Sequence, residues 1–187
     1  MVSFDPFPVL MTPRLRLRAI EPADAATILR IHSDPEVTRY FGRAPDMSLA
    51  DAEQRIALVL AGIRDVTAIR WGITLHESGE LIGTTGFWHW HKSHRWAEIG
   101  YELLPALWNR GIMTEALRAM LPFGFDVMGL HRIEAHIDPE NRASMRVLER
   151  LGFVRDGLLR EDCYYNGRYT DTAIYGLLRR DADGAAR

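Results

Sequence analysis

The stretch from Ala97 to Leu178 constrains this chain more than any other part of it. Ala97 to Leu104 reads as a strand, and Pro105 ends it. Ala106 to Gly111 is a loop, and a long helix starts near Ile112 and runs to about Met128, kinked in its last turns by Pro122. Arg132 to Ile137 is a strand. Asn141 to Leu151 is a helix with Met145, Leu148 and Leu151 on one face, closed by Gly152 as its C-cap. The chain is extended again from Phe153, and Asp171 to Leu178 is the last strand. Strand, helix, strand, helix, strand in that order requires a sheet with helices packed on it, a mixed α/β (α+β) domain.

The first half supplies further strands and helices. Leu15, Leu17 and Ile20 alternate with Arg14, Arg16 and Arg18, the pattern of a half-buried strand. Pro22 opens a helix carrying Ala26, Leu29 and Ile31, which fades at Ser33-Asp34-Pro35. A second short helical piece runs through Val37, Tyr40 and Phe41 to Gly42. Ser48, three residues before Asp51, predicts a capping box ahead of a helix through Ile56, Val59, Leu60 and Ile63. Trp71 to Leu75 and Leu81 to about Trp90 read as strands joined by the turn Glu77-Ser78-Gly79-Glu80. The reading is one domain over 1–180, with 181–187 a flexible tail that begins to fray at Arg179.

Composition narrows the classes. Of 187 residues, 47% are apolar and 26% charged, the balance of a globular chain with a sizeable core rather than a disordered or coiled-coil one. Twenty-three basic against 25 acidic residues give a formal charge of -2, which argues against a nucleic-acid partner. Lys92 is the only lysine; every other basic residue is arginine. One cysteine, Cys163, permits no intramolecular disulfide and no thiolate-rich metal site, which suits a reducing cytoplasm. No run approaches the ~20 apolar residues of a spanning helix, and the N-terminus does not read as a signal peptide, so no membrane partner is expected.

Trp108-Asn109-Arg110-Gly111-Ile112-Met113-Thr114-Glu115-Ala116 carries the clearest chemistry. A glycine directly before a helix lets the main chain approach a ligand, and the free amides of the first turn meet it with the positive end of the helix dipole. That is a phosphate site built mostly of main chain, although an ordinary loop with Gly111 at a turn fits the same residues. Asn141 and Ser144 open the second helix, where both can face one cleft or serve as cap and helix residue.

Together these segments resemble the GNAT superfamily of acetyl-CoA-dependent N-acyltransferases, and within it the RimJ/RimL-like type that acetylates protein N-termini. Glu98-Ile99-Gly100-Tyr101, Gly111 to Ala116, Asn141-x-x-Ser144 with Val147-Leu148-Glu149, Leu151-Gly152-Phe153, and Gly167 leading to Asp171 carry the likeness. It implies a central mixed, mostly antiparallel twisted sheet, flanked by helices and splayed between the strands at 97–104 and 132–137. Acetyl-CoA would enter as co-substrate, its pantetheine on the strand backbone at Leu103 and Leu104 and its pyrophosphate on the amides of Asn109, Arg110, Gly111, Ile112, Met113 and Thr114. Asn141 and Ser144 would lie near the pantetheine and thioester, and Arg110 and Arg146 are placed to meet phosphates. Two departures stand out. Trp108 and Met113 occupy the first and last places of the Gln/Arg-x-x-Gly-x-Gly/Ala pattern, and Leu148 stands where many members carry a general-acid tyrosine.

The expected reaction is direct acetyl transfer to a primary amine, either a protein N-terminus or a small molecule. A base must take a proton from the ammonium, and Glu98, directly or through water, is the first candidate. Glu102, two residues on along the same strand face, is its rival. Ser144 can steady or protonate the leaving thiolate, and a backbone donor on the strand at 99–104 can serve the tetrahedral intermediate. Tyr101 points to the opposite face as core or substrate wall, and Glu115 favours the helix dipole as a structural residue. Cys163 has no fixed partner that would make it a nucleophile. His89 and His91 share a strand face without further ligands, so no metal is expected; their hairpin forms part of an acceptor pocket. A non-catalytic acyl-CoA-binding or regulatory domain is the alternative, and a homodimer stays open.

Overall fold

The computed structural model describes residues 2–165 and 167–184. Strands β1 (Leu10–Met11), β2 (Leu15–Ala19), β3 (Ile69–Leu75), β4 (Leu81–His91), β5 (Trp96–Leu103), β6 (Arg132–Ile137), β7 (Val154–Tyr165) and β8 (Arg168–Leu178) form one sheet in the order β1-β2-β3-β4-β5-β6-β8-β7. All neighbours are antiparallel except β5 and β6, which run parallel. The helices are α1 (Ala25–His32), α2 (Pro35–Thr38), α3 (Leu49–Arg64), α4 (Ile112–Pro122), α5 (Arg142–Arg150) and α6 (Arg179–Gly184). This is the α+β domain that the strand and helix order predicts, built on the mixed, mostly antiparallel sheet that the resemblance implies.

The alternation in β2 does what its pattern requires: Leu15 and Leu17 are buried while Arg16 faces solvent. In β5 the alternation assigns the two faces of the sheet. Odd residues turn toward α4 and α5: Ile99 and Leu103 join the core that holds Leu117, Met120 and Leu148, and Tyr101 bonds to α5. Even residues turn toward the N-terminal helices, where Glu102 reaches His32 of α1. A second, smaller apolar cluster of Ile20, Ala25, Ile28, Ala52, Ile56 and Leu81 seats α1 and α3 on that side.

Several local signals hold as read. Ser48 and Asp51 close a reciprocal capping box at the start of α3. Others are displaced for identifiable reasons. The residues after Pro22 form a single 3-10 turn before α1 begins at Ala25, and α2 ends at Thr38, short of Gly42. The helix expected to run to Met128 is α-helical only to Pro122. Lacking its N–H, the proline passes the chain into a π turn over Phe123–Val127, in which Met128 N–H donates to the Phe123 carbonyl. Strand β8 starts at Arg168 rather than Asp171.

Fraying from Arg179 is not what the structure has: Arg179–Gly184 is helical. The Arg179 guanidinium donates to the Phe125 carbonyl and to Asp126 Oδ1, both at 2.6 Å, and its N–H donates to the His131 carbonyl. These bonds fasten the helix to the π turn. Residues 185–187 of the expected tail lie outside the described residues.

The segment between α2 and α3 crosses from the β5 side of the sheet toward β6 and β7. Tyr40 Oη donates to the Glu140 carbonyl at 3.4 Å, and Gly42 abuts Cys163 so closely that a Cβ there would lie 2.9 Å from Sγ. Among the described residues no helix is long and apolar enough to cross a membrane. Replacing Arg179 by Met should lower stability by about 1 kcal/mol, measured by urea unfolding, because a partly exposed charged donor is lost from two acceptors.

Candidate active site

Strands β5 and β6 pair only through Trp96–Arg132, Ala97–Ile133 and Glu98–Glu134, and then part. Beyond Glu98 one backbone edge of β5 has no strand against it among the described residues. Its direction follows from its neighbours. Leu104 N–H donates to the Ile82 carbonyl of β4, so Leu103, one residue earlier, turns its backbone to the opposite side, as do Tyr101 and Ile99. The Leu103 carbonyl accepts there from Trp108 Nε1 at 2.8 Å. That bond accounts for the tryptophan in the loop: its indole ties the loop back to the end of β5.

The loop itself is a bed of donors. Asn109 (φ 59°) and Gly111 (φ 72°) are left-handed, a conformation that glycine adopts freely and asparagine tolerates. Gly111 is the N-cap of α4 and has no side chain to cap it. From Asn109 through Thr114 no backbone N–H has a protein acceptor among the described residues. Met113 is buried in the core, so its bulk points away from this bed. Glu115 holds the loop from behind: Oε1 accepts from Thr12 Oγ1 and Arg14 N–H, and Oε2 from Arg14 Nε at 2.6 Å, while Arg14 Nη1 donates to the Arg110 carbonyl. Burial would raise the Glu115 carboxyl, but its bonds to Thr12 and Arg14 bring it below the usual range. Its structural reading therefore holds. A row of unpartnered amides at a helix N-terminus suits a diphosphate. Arg110 and Arg146 are exposed, and neither has a carboxylate partner among the described residues.

On the α5 side, Asn141 Oδ1 caps its helix by accepting from Ser144 N–H at 3.1 Å. Ser144 is buried, and its hydroxyl lies 2.6 Å from Tyr101 Oη. Burial pushes the Tyr101 phenol well above its ordinary value, and the bond to Ser144 only partly opposes this. Tyr101 is thus on the face away from Glu98 and Glu102, as expected, but it is a partner of Ser144 rather than mere wall. Leu148 is fully buried and offers no polar group.

The other face holds the two carboxylates in different surroundings. Burial alone would raise the carboxyl of Glu102, yet Arg70 beside it, with bonds from His32 and Thr84, holds it down at about 2. Arg70 Nη2 donates to Oε2 at 2.7 Å, and His32 Nε2 lies 3.2 Å from Oε1. The network continues through His32 Nδ1 to Asp46, which Arg55 and Arg43 also hold. Nothing in the sequence signals this chain: His32, Asp46 and Arg70 are distant in order and belong to no motif. Glu98 is also buried, with Oε2 2.9 Å from His89 Nδ1 and 4.0 Å from His136 Nδ1. His136 likewise escapes sequence reasoning; it lies on β6, two residues beyond the last pair with β5. At Gly100, between the two carboxylates, a Cβ would make ordinary van der Waals contact with Arg70 Nη1 at 3.7 Å and Trp88 Cε2 at 3.9 Å.

Residues 14–154 match the acetyltransferase (GNAT) domain. The chain belongs to the GNAT acetyltransferase family. An uncharacterized N-acetyltransferase, YoaA of Bacillus subtilis, is 40% identical over 92% of this GNAT protein and 98% of its own length. The solved spermidine N-acetyltransferase from Vibrio cholerae, in complex with CoA and spermine, superposes with a TM-score of 0.81 at 26% identity, over 91% of this chain and 99% of that one. RimJ of Mycobacterium smegmatis, in complex with CoA-disulfide, gives 0.83 at 26% identity over 95% and 91%. As a GNAT enzyme it is an N-acetyltransferase, and the parting of β5 and β6 is the splay that the resemblance implies. Among the described residues no group of three or more His, Cys, Asp or Glu is gathered to hold a metal ion.

The depressed carboxyl of Glu102 contributes stability that is present above the carboxylate's ordinary value of 4.5 and is lost as pH falls toward about 2. Glu102→Gln should cost about 3 kcal/mol at neutral pH by leaving Arg70 unpaired, and the difference from the parent should shrink across that acid window in pH-dependent urea melts.

Proposed function

We propose that this GNAT protein uses acetyl-CoA and transfers the acetyl group directly to a primary amine, as a cytoplasmic enzyme of RimJ/RimL-like type. The donor bed from Asn109 through Thr114, at the mouth of the parted strands, carries the reading. The amides of Asn109, Arg110, Gly111, Ile112, Met113 and Thr114 would hold the pyrophosphate, with Arg110 and Arg146 adding charge. The free edge of β5 up to Leu103 and Leu104 would take the pantetheine. When bound, acetyl-CoA supplies an acyl group activated as a thioester.

The chain's own residues do the rest. Asn141 fixes the start of α5, so that the Ser144 hydroxyl faces the cleft beside Tyr101. With its phenol held protonated by burial, Tyr101 donates to Ser144 Oγ and turns the serine proton outward toward the leaving sulfur. This pair supports turnover over mere cofactor binding, because it offers a donor where Leu148 replaces the usual tyrosine. On the acceptor side Glu98, buried against the exposed His89, acts on the proton of the amine through a mediating group rather than by direct contact. Glu102, committed to Arg70 and His32 and held at about 2, is too weak a base and positions the wall instead.

The acceptor is a protein N-terminus or a small amine. The resemblance to the RimJ/RimL-like type supports the first, and the likeness to the spermidine N-acetyltransferase supports the second. Thiol release on a panel of N-terminal peptides, polyamines and amino acids distinguishes them, and no release with any amine would leave only the binding-domain alternative.

Acetyl-CoA should raise the melting temperature by ligand linkage. Gly111→Glu, which places a carboxylate on a left-handed residue amid the amide donors, should abolish that rise while the apoprotein still folds; an intact rise would refute the pyrophosphate placement. Tyr101→Phe should lower kcat about tenfold, the equivalent of one hydrogen bond, with acetyl-CoA affinity unchanged in equilibrium titration.

A further inference from the structure

His89 breaks the regularity of β4. The register against β5 shifts between Trp88 and His91, and within that bulge His89 takes a left-handed backbone with φ 42°. A non-glycine residue there is strained, and such strain persists where the surroundings over-determine it. What it achieves is the placement of one ring. Trp88 stacks on the imidazole with centroids 4.8 Å apart and planes 6° from parallel, and Nδ1 sits 2.9 Å from Glu98 Oε2. The two partners differ sharply in exposure: the Glu98 side chain is 8% exposed and that of His89 64%. The buried carboxylate cannot readily meet an incoming amine, whereas the imidazole edge bearing Nε2 has no protein partner among the described residues.

We infer that His89 Nε2 is the group that takes the proton from the acceptor ammonium, with Glu98 acting through it as a positioning residue. This deepens the proposed acetyl transfer and rests on it. The Glu98 carboxylate accepts from Nδ1–H, which fixes the tautomer with the lone pair on Nε2 and stabilises the imidazolium that forms. In the step, an N–H bond of R–NH3+ breaks and an Nε2–H bond forms, leaving the neutral amine. The exposed ring then returns the proton to solvent, and nothing is oxidised or reduced. His136, 4.0 Å from the same Glu98 oxygen, and Glu134, bonded to His136 and Arg132, face the pair from β6. Arg70, beside Trp88 over Gly100, faces it from β3 with its charge taken by Glu102.

The strained backbone itself supplies a suitable variant. Glycine adopts φ 42° without penalty, so His89→Gly keeps the bulge and leaves a gap the size of the ring. With an acceptor found by thiol release, His89→Gly should lose about 100-fold in kcat, retain acetyl-CoA affinity, and recover with added imidazole in a concentration-dependent way. A purely structural histidine would not be rescued by free base, so an unaffected rate or a loss without rescue overturns the assignment. Ring nitrogen NMR of the resting protein gives a reading independent of turnover. In its neutral form the His89 ring should be protonated at Nδ1 and bare at Nε2, and Glu98→Gln should shift that tautomer balance. An Nε2-protonated ring, or one indifferent to Glu98→Gln, refutes the pair even if no amine is ever acetylated. Failure of the parent enzyme with every amine would instead count against the acetyl-transfer reading.

Discussion

The architecture turns on a parallel pairing that lasts three residues. Strands β5 and β6 join at Trp96, Ala97 and Glu98 and then separate, although both remain held on their outer sides by β4 and β8. Backbone groups on the inner edge of β5 lose their ladder at that point, and buried main-chain donors and acceptors need partners. Trp108 supplies one, bonding the Leu103 carbonyl. The remainder is an extended backbone edge open to an extended ligand, which an uninterrupted sheet would have sealed. The crossover from β5 to β6 must then pass beside this opening, and it is there that α4 begins with its unpartnered amides.

Because consecutive residues of β5 face opposite sides, the same short strand serves two chemically different compartments. Tyr101 and Ser144 form a partly buried hydroxyl pair on the α4–α5 side. Glu98 and Glu102 lie on the other side among histidines and arginines, with Gly100 between them in sequence. Their divergence is environmental rather than chemical: one carboxylate is locked by Arg70, while the other meets an exposed imidazole. The thickness of one strand thus keeps the two sets of polar groups from pairing with one another.

How much of this the sequence discloses depends on whether the signal is local. Alternation in β2, the capping box at Ser48, and Gly111 ahead of α4 each depend on neighbours within a few residues, and each is formed as read. The π turn after Pro122 is half legible: proline announces a disturbance, but its form is decided by packing and by Arg179 from the far end of the chain. That same long-range anchor explains why a polar, arginine-rich C-terminal segment is helical where composition suggests fraying. At the candidate site the loop and the Asn141–Ser144 cap carry recognisable spacing. The pairing of Tyr101 with Ser144, the His32–Asp46 chain and the approach of His89 to Glu98 carry none, since they exist only once strand register brings separate elements together.

The clamp behind the loop that leads into α4 has a consequence for the order in which the chain completes it. Arg14 meets Glu115 and the Arg110 carbonyl across 101 and 96 residues of sequence respectively. Contacts of such separation form only after intervening chain has been ordered, because closing long loops costs entropy before any contact repays it. A chain emerging from synthesis therefore presents Asn109 to Thr114 before the support behind them is in place, if Arg14 has not yet been carried into the sheet by β2 and β3. Completion of this amide-bearing loop therefore marks a late stage of folding, set by the meeting of the first strands with a helix from the second half of the chain.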